Sequence, residues 1–443
     1  MELNHPFARL LYISWSSVPK EVRQCVKLRF LDFLGCALAG WETKAGKIAV
    51  TIAKKLFPGE DALILAPGCH RSSILGAAFA NATLASALDL DDGYRLACGH
   101  PGSVVIPAAL AVGEVQKISG QKFLEAILVG YEIATRTGQA MYTDAKDRFW
   151  GSGAWASSGA AAAAAFLLSL PENEFTEALG IAEAYTPLAP ALKSIVKGSM
   201  VKESIGWGAL TGVASAFLAK EGFTGVIPVL LEPPHRALIS DIGESFRILD
   251  TYLKTYAACR WAHPAIEGVK NLLQKFSIKR EKIVKICVET FSKALTINNP
   301  FPTTPIAAQY SLPFAVAAFL QDGVVGPDQV SEEAIVRKEI LELAKKIEVR
   351  FDEELEARFP RECLARVIIM TAEGESYQSE IVGSPGDPER PLTYEAVKEK
   401  FRWLARKVLA KPAVQQIEEA VETLEKNSFD YFINILSKTL VNC

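Results

Sequence analysis

The feature that most restricts the fold of this chain is a series of helical segments rich in alanine and glycine in its first 260 or so residues. The clearest are AWASSGAAAAAAFLLSL and GALTGVASAFLAKEGF. Small side chains let helix backbones approach closely, although alanine is also simply a good helix former. Apolar residues at three- and four-residue spacing in VPKEVRQCVKLRFLDFLGCALAG predict another helix, with Gly40 as its C-cap. The first part of the chain is therefore predicted to be almost entirely helical.

After Pro264 the pattern changes to strands mixed with helices. KIVKICVETF alternates and carries β-branched residues, and KIEVRFD has a similar pattern. CLARVIIMTAEGESYQSEIV is typical of a hairpin, with its turn at Gly374.

From Pro391 onward the amphipathic helical pattern returns, and Thr393 is a suitable N-cap for LTYEAVKEKFRWLARKVL. The predicted fold is mainly α with an α+β second domain. Residues 1–264 and 391–443 are expected to form a large helical domain, and residues 265–390 a smaller α+β lid domain.

Composition excludes several classes of function. The 443-residue chain has a net charge of -3 and no basic stretch, so nucleic acid is not an expected partner. The N-terminus lacks the pattern of a secretory signal, and the longest weakly polar run is too short for a membrane span. We therefore expect a cytoplasmic location. The eight cysteines form no C-x-x-C pair and are predicted to be reduced thiols.

The polar stretch DLDDGYRLACGHPGS, from Asp89 to Ser103, lies between two alanine-rich helical segments. A carboxylate and an imidazole such as Asp89 and His100 could meet across a helix end and transfer protons. In the alternative interpretation, Asp91 or Asp92 caps the following turn and His100 fixes the loop. The sequence leaves both interpretations open.

Two further segments place cations near predicted helix ends. Lys202 precedes a Gly-Trp-Gly-Ala helix, where it could hold a carboxylate at the lip of a pocket or lie on the surface. LKTYAACRWAHPAIEG contains Lys254, Arg260 and His263 within ten residues. That cluster is dense for an acidic protein, and the alternative is a hinge whose cations pair with nearby acids.

The segment RFWGSGAWASSG has glycine and serine spacing typical of a loop that leads into a helix N-terminus. Free N–H groups there would suit an anion, and in the absence of a nucleotide-binding motif a carboxylate is expected rather than a nucleotide. Tight packing of Gly151 and Gly153 against a neighbouring helix is the competing interpretation.

Several of these blocks together resemble the MmgE/PrpD family. They are ALDLDDGYRLACGHPGSVVIPAALA, VKESIGWGALTGVASAFLAKEGFTG, YAACRWAHPAIEG, AAQYSLPFAVAAFLQDG and SPGDPERPLTYEAVKEKF. The family includes enzymes that dehydrate 2-methylcitrate, decarboxylate cis-aconitate or epimerise iminodisuccinate, without metal or organic cofactor. The resemblance implies a helical domain with an α+β lid, a small polycarboxylate substrate, no cofactor and a homodimer.

The resemblance also implies site residues. Asp89, His100, Lys202 and Lys254 match the candidate catalytic positions. Substrate-binding positions are predicted at Gly93, Arg95, Trp150, Ser152, Arg260, His263 and Phe314, with no metal ligand.

Some of these positions depart from the family pattern. Gly93 stands where many relatives have threonine, and Arg95, absent from many, could be a substitute carboxylate fork. Trp150 replaces a histidine of the decarboxylases and several dehydratases, and Phe314 replaces a tyrosine of the decarboxylases. The expected activity is a lyase that dehydrates a small hydroxy-polycarboxylate of the 2-methylcitrate type. Alternatives are an epimerase or isomerase, a decarboxylase, or a catalytically silent carboxylate-binding protein.

Overall fold

The computed structural model describes residues 5–144 and 149–441, and it confirms a mainly α fold with a smaller α+β part. The helices are α1 (Ala8–Leu11), α2 (Lys20–Gly40), α3 (Lys44–Leu56), α4 (Ile74–Ser86), α5 (Gly102–Gln116), α6 (Gly120–Asp144), α7 (Ser152–Leu167), α8 (Glu172–Tyr185), α9 (Ala191–Lys197), α10 (Ile205–Lys220), α11 (His263–Phe276), α12 (Pro305–Gln309), α13 (Leu312–Asp322), α14 (Lys338–Ala344), α15 (Glu353–Arg358), α16 (Tyr394–Ala405), α17 (Lys411–Glu422) and α18 (Phe429–Val441). The strands are β1 (Ala62–Leu63), β2 (Arg71–Ser72), β3 (Gly93–Tyr94), β4 (Thr251–Tyr252), β5 (Ile283–Thr290), β6 (Ile347–Phe351), β7 (Ala365–Thr371) and β8 (Ser376–Gln378).

Helix α7 is the centre of the helical part, and every one of its residues is buried. It packs against α5, α6, α8 and α10. A Cβ on Gly159 would lie 2.5 Å from the carbonyl oxygen of Gly130 in α6, and one on Gly212 would lie 2.5 Å from that of Ser157. The small residues on these helices therefore allow the helix backbones to pack closely, as the composition of the segments suggested.

Helix α2 ends at Gly40, but the prediction that this glycine is a C-cap is wrong. Gly40 belongs to the helix itself, and Trp41 follows it with right-handed helical dihedral angles. A Cβ on Gly40 would lie 2.0 Å from the carbonyl oxygen of Leu84 in α4. Glycine is needed there because two helices touch, and not because the chain turns.

The α+β part contains a four-stranded sheet in the order β6-β5-β7-β8. Strands β5 and β6 run parallel, whereas β5 with β7 and β7 with β8 are antiparallel. The turn between β7 and β8 contains Gly374 with a φ of 83°, in the left-handed region that glycine adopts readily. All three strand segments predicted from sequence are confirmed, and α11 and α13 pack against this sheet.

The C-terminal helices return to the N-terminal ones. Helix α16 packs against α2, and a buried ion pair of 2.5 Å joins Lys400 Nζ to Asp32 Oδ1. Apolar residues of α16, α17 and α18 share one hydrophobic core with α2 and α4 to α8. Thr393 caps α16 as predicted, because its side chain accepts a hydrogen bond from the N–H of Ala396.

Two predictions about the chain as a whole concern membranes and thiols. Across residues 5–144 and 149–441, no helix has both the length and the apolar character to cross a membrane. The seven described cysteines are free thiols, whereas Cys443 lies outside the described residues.

Candidate active site

A two-residue pairing of strands brings the parts of the site together. Gly93 and Tyr94 in β3 pair with Tyr252 and Thr251 in β4. The first strand belongs to the loop that begins at Asp89, and the second leads directly to Lys254. This pairing places Lys254 beside Asp89 although 165 residues separate them.

Asp89 is the centre of a buried cluster of charges. Its carboxylate lies 3.3 Å from the Nζ of Lys202 and 3.1 Å from the Nζ of Lys254. The Nε2 of His100 lies 3.7 Å away. Burial by itself would raise the pKa of Asp89, but Lys202, Lys254 and His100 together hold it well below its usual range. Asp89 is therefore ionised at any physiological pH.

Backbone carbonyl groups at the end of α4 hold the two ammonium groups. Lys202 Nζ donates to the carbonyl of Ser86 at 2.7 Å and to the side-chain oxygen of Gln309 at 3.0 Å. Lys254 Nζ donates to the carbonyl of Asp89 at 2.9 Å. Asp89 and Lys202 both have left-handed backbones, with φ of 51° and 49°. Such conformations cost non-glycine residues about 1–2 kcal/mol each, so backbone strain is concentrated at this cluster.

His100 has a fixed orientation. Its Nδ1 lies 2.7 Å from the carbonyl oxygen of Asp92. Because a carbonyl can only accept, Nδ1 carries the hydrogen, and Nε2 is the nitrogen that exchanges protons. Nε2 faces Asp89 on one side and Glu203 on the other, each at 3.7 Å.

Asp92 organises the turn that carries His100. Its carboxylate accepts hydrogen bonds from the N–H of Gly102, at the start of α5, and from the hydroxyl of Tyr131. Burial raises the pKa of Asp92 to about 6, and Arg29 offsets part of that effect. Asp92 thus holds the start of α5, as the structural interpretation of the Asp89–Ser103 stretch expects. Asp89 and His100 also meet, which the other interpretation requires, and their proton transfer stays a prediction.

The N-terminus of α7 is occupied by a carboxylate of the chain itself. Glu203 Oε2 accepts from the N–H of Ser152 at 3.0 Å and also from its hydroxyl. The same hydroxyl oxygen accepts from the N–H of His100 at 2.8 Å. A Cβ on Gly153 would lie 2.2 Å from the carbonyl oxygen of Ser204, so the packing interpretation of these glycines is confirmed. Ser152 thus links Glu203 to the loop of His100.

Beside the cluster is a narrow cavity whose empty space, its open mouth included, is about 480 Å³. Five of the predicted site residues line it: Asp89, Arg95, His100, Lys254 and Arg260. The other lining residues are Cys98, Phe149, Ile195, Glu203, Tyr252, Cys259, Trp261, Tyr310, Phe359, Pro360 and Cys363.

The remaining predicted residues lie behind this lining or away from it. A Cβ on Gly93 would lie 2.2 Å from the ring of Tyr252, so the glycine makes room for that ring in the wall. Trp150 forms a backbone bridge with Pro190. Phe314 is fully buried in the core at the start of α13. Lys202 does not line the cavity, but it forms an ion pair with Asp89, which does.

At the other side of the cavity lies a second charged group. Arg260 Nη2 lies 2.7 Å from Asp387 Oδ1, and Arg95 lies 2.5 Å from Glu389 and 3.7 Å from Asp387. The Nε of Arg260 is buried and has no hydrogen-bond partner among the described residues. A donor in that condition is available to an anion that enters the cavity.

His263 supports this arginine rather than lining the cavity. Its Nε2 lies 3.0 Å from the carbonyl oxygen of Ala258, and its Nδ1 lies 3.3 Å from Nη1 of Arg260. Burial, with the nearby Arg260, holds the pKa of His263 well below its usual value. The ring is therefore neutral, donates to Ala258 and accepts from Arg260, which makes it a positioning residue.

Sequence reasoning missed Glu203, Tyr310 and Asp387. The hydroxyl of Tyr310 lies 3.4 Å from Asp89 Oδ1, and its ring lies 5.4 Å from Lys202 Nζ. Each missed residue lies in a segment that carries the family resemblance, directly after Lys202 or in the AAQYSLPF and SPGDPER motifs. Those motifs were the sequence signal by which the three residues could have been found.

One group of side chains in the described part of the chain has spacing that could hold a metal ion. Asp89, Asp91 and His100 place one ligand atom each within 4.8 Å of one another. However, two ammonium groups already lie within 3.3 Å of Asp89, and His100 faces the two carboxylates with different nitrogens. These contacts oppose a further cation, so the residues fit a metal poorly.

The fold and site define a class of protein, in which a helical part and an α+β part together enclose buried charged residues beside a cavity lined by two arginines. The model for the MmgE/PrpD N-terminal domain matches residues 10–240, and that for the MmgE/PrpD C-terminal domain matches residues 256–426. The chain belongs to the MmgE/PrpD family.

Named relatives are similar over nearly the whole chain. Cis-aconitate decarboxylase of Aspergillus terreus is 27% identical over 94% of this chain and 91% of that protein. The cis-aconitate decarboxylase-like protein oryM of Aspergillus oryzae is 26% identical over 93% and 92% of the two chains. Human cis-aconitate decarboxylase is 26% identical over 91% and 88%.

Proposed function

We propose that this protein is a lyase that acts on a small polycarboxylate and dehydrates a hydroxy acid with its own side chains as base and acid. The relatives support a lyase of this substrate class. The observation that carries the proposal is the position of Asp89 between Lys202, Lys254 and His100 at one side of a cavity whose other side holds Arg95 and Arg260.

Substrate binding depends on the arginines. Arg260 and Arg95 line the cavity and attract a carboxylate, and the Nε of Arg260 has no hydrogen-bond partner among the described residues. A second carboxylate, next to the reacting carbon, lies near Lys254. Developing negative charge on that carboxylate is then stabilised by a cation that is already in place, which lowers the barrier without reorganisation.

The proton transfers follow from the orientation of His100. Its Nε2 takes the proton from the carbon next to a carboxylate, and the electron pair of that C–H bond becomes the new C=C bond. The C–O bond breaks, and the hydroxyl leaves as water with a proton from Lys254. The imidazolium formed at His100 lies 3.7 Å from both Asp89 and Glu203, which stabilise its charge.

Decarboxylation is the second candidate, and the names of the relatives favour it. In that reaction the C–C bond to a carboxylate breaks, carbon dioxide leaves, and the remaining electron pair takes a proton from the same acid. The arginines and lysines would serve the substrate in the same way. The two reactions differ in their products: water and an unsaturated acid with all carboxylates retained, or carbon dioxide.

The test is an assay of hydroxy acids and unsaturated acids in heavy water, with alkene absorbance, carbon dioxide release and deuterium incorporation measured together. If the reaction is dehydration, alkene absorbance appears without carbon dioxide. Release of carbon dioxide would instead support decarboxylation, the second candidate. Deuterium exchange with inversion and no alkene would indicate an epimerase and overturn both. Turnover should be lost in His100→Ala and retained in the control His70→Gln, since His70 does not line the cavity.

If no acid in a broad panel reacts while one of them still raises the melting temperature, the protein binds carboxylates without catalysis, and the lyase proposal fails.

A further inference from the structure

One wall of the cavity is apolar. It is formed by Phe149, Ile195, Trp261, Phe359 and Pro360. The ring of Trp261 lies 6.0 Å from that of Phe149 and 6.4 Å from that of Phe359, so the aromatic side chains form a continuous surface. A substrate that fills the cavity therefore contacts hydrocarbon on this side.

Three cysteines also line the cavity, and they add no charge to it. Burial raises the pKa of Cys98 and of Cys259 to about 12, and it raises that of Cys363 well above the usual value. All three are neutral thiols at physiological pH, and a buried thiol packs as a small apolar group. The uncharged surface is thus larger than the aromatic wall alone.

The cations on the other sides are already partly neutralised. Lys202 and Lys254 share the single carboxylate of Asp89. Arg95 and Arg260 share that of Asp387, and the second partner of Arg95 is Glu389, whose side chain is 60% exposed and well screened by water. Glu203, a second carboxylate, also lines the cavity. Among the described residues, cations therefore reach the cavity at only two places, Lys254 on one side and Arg95 with Arg260 on the other.

Cations at two places match two substrate carboxylates. A third carboxylate would have to face the apolar wall, where it would lose its hydration without gaining a partner, and such burial is strongly unfavourable. An alkyl group in the same place would instead gain free energy, at about 0.8 kcal/mol per buried methylene.

We propose that the substrate is a dicarboxylate whose hydroxyl-bearing carbon carries an apolar substituent, so that an alkyl group occupies the place of a third carboxylate. This inference rests on the proposed lyase function. It defines the substrate class as 2-alkylmalate-like, with the alkyl group against Ile195 and Trp261, one carboxylate at Lys254 and the other at Arg95 and Arg260.

The test compares acids that share one skeleton. The probes are malate, 2-methylmalate, 2-ethylmalate and 2-isopropylmalate in both configurations, together with citrate, which is the same molecule with a carboxymethyl arm. The alkyl acids are expected to exceed citrate in kcat/KM by about 100-fold or more, because the wall admits the methylenes and rejects the charge. If citrate reacts as well as they do, the dicarboxylate inference is overturned while the lyase proposal stands. If none of these acids reacts while another acid of the broad panel does, the dicarboxylate inference is overturned and the lyase proposal stands. If the broad panel also gives no reaction, both are overturned.

A pair of variants tests the wall itself. Ile195→Ala enlarges the space beside the substituent, so the preference for isopropyl over methyl should rise about tenfold. Ile266→Ala is the matched control, because Ile266 is buried in the same core and does not line the cavity. An unchanged preference in Ile195→Ala would show that the substituent does not contact this wall. If Ile195→Ala does not fold, Ile195→Val is tested in its place.

Discussion

The two sides of the cavity carry similar charges but hold them differently. At the Asp89 side, Lys202 and Lys254 are only 5% and 0% exposed and are fixed by backbone carbonyl groups. At the Arg260 side, Arg260 and Asp387 are just as buried, at 4% each, but Arg95 also pairs with Glu389 of the same loop, whose side chain is largely exposed. A substrate carboxylate can compete with these loop carboxylates. The proposed mechanism therefore separates proton transfer, at the Asp89 side, from the anchoring of one carboxylate, at the arginines.

The largest effect is expected from Lys254→Ala. Loss of the proton donor should lower kcat by about 10² to 10⁴. Since Lys202 still neutralises Asp89, the variant should fold, which circular dichroism checks. Lys270→Ala is the control, because Lys270 is partly exposed, pairs with Glu267 and does not line the cavity. A variant that retains wild-type kcat would remove Lys254 from the mechanism and weaken the contrast between the two sides.

Arg260→Ala should act on binding. Loss of the anchoring guanidinium should raise KM by about 10² to 10³ and change kcat much less. Asp387→Asn should do the opposite and lower KM, since it removes the carboxylate that competes with the substrate. Equal losses of kcat and kcat/KM in Arg260→Ala would show that this arginine stabilises the transition state. Binding and proton transfer would then not be separated.

Asp92→Asn tests what the buried side contributes to stability. Asp92 has its pKa raised from 3.8 to about 6, so the folded state binds its proton more tightly than the unfolded chain does. The stabilising contribution is complete below about pH 4 and is lost as pH rises through 6, a change of about 3 kcal/mol. Urea unfolding across pH 4 to 7 should show this loss in the wild type relative to Asp92→Asn, whose amide oxygen can still accept from Gly102 while its amide nitrogen donates to the hydroxyl of Tyr131. If the free energy of unfolding changes with pH equally in the two proteins, ionisation of Asp92 does not lower the stability of the fold.

The smallest effect is expected from Tyr310→Phe. The hydroxyl at 3.4 Å from Asp89 is a weak contact, so its loss should reduce kcat about fivefold with KM unchanged. Tyr12→Phe, at a position 60% exposed, is the control. A loss as large as that in Lys254→Ala would instead make Tyr310 the proton donor.

Much of the fold was predictable because it depends on local patterns. Strand alternation and the turn at Gly374 are local, and so is the cap at Thr393. The cluster of Asp89, His100, Lys202 and Lys254 was predicted from the family resemblance, since the residues themselves were equally compatible with a structural loop and a surface lysine.

Other features depend on contacts between distant segments, which no local pattern contains. Glu203 occupies the N-terminus of α7 from 51 residues further along the chain, and this explains why the expected carboxylate there is internal. Gly40 ends a helix in the predicted place for a different reason, because Leu84 touches it from another helix. Asp387 meets Arg260 only through the folding of a loop more than 120 residues away.

The pairing of β3 with β4 has a consequence for the order of folding. Until residues 251–254 reach the Asp89 loop, the carboxylate of Asp89 lacks its ion pair with Lys254. The cluster of charges is therefore complete only when β4 has paired with β3. The ribosome adds that strand some 160 residues after Asp89, so the loop waits through much of the synthesis of the chain for its second ammonium group.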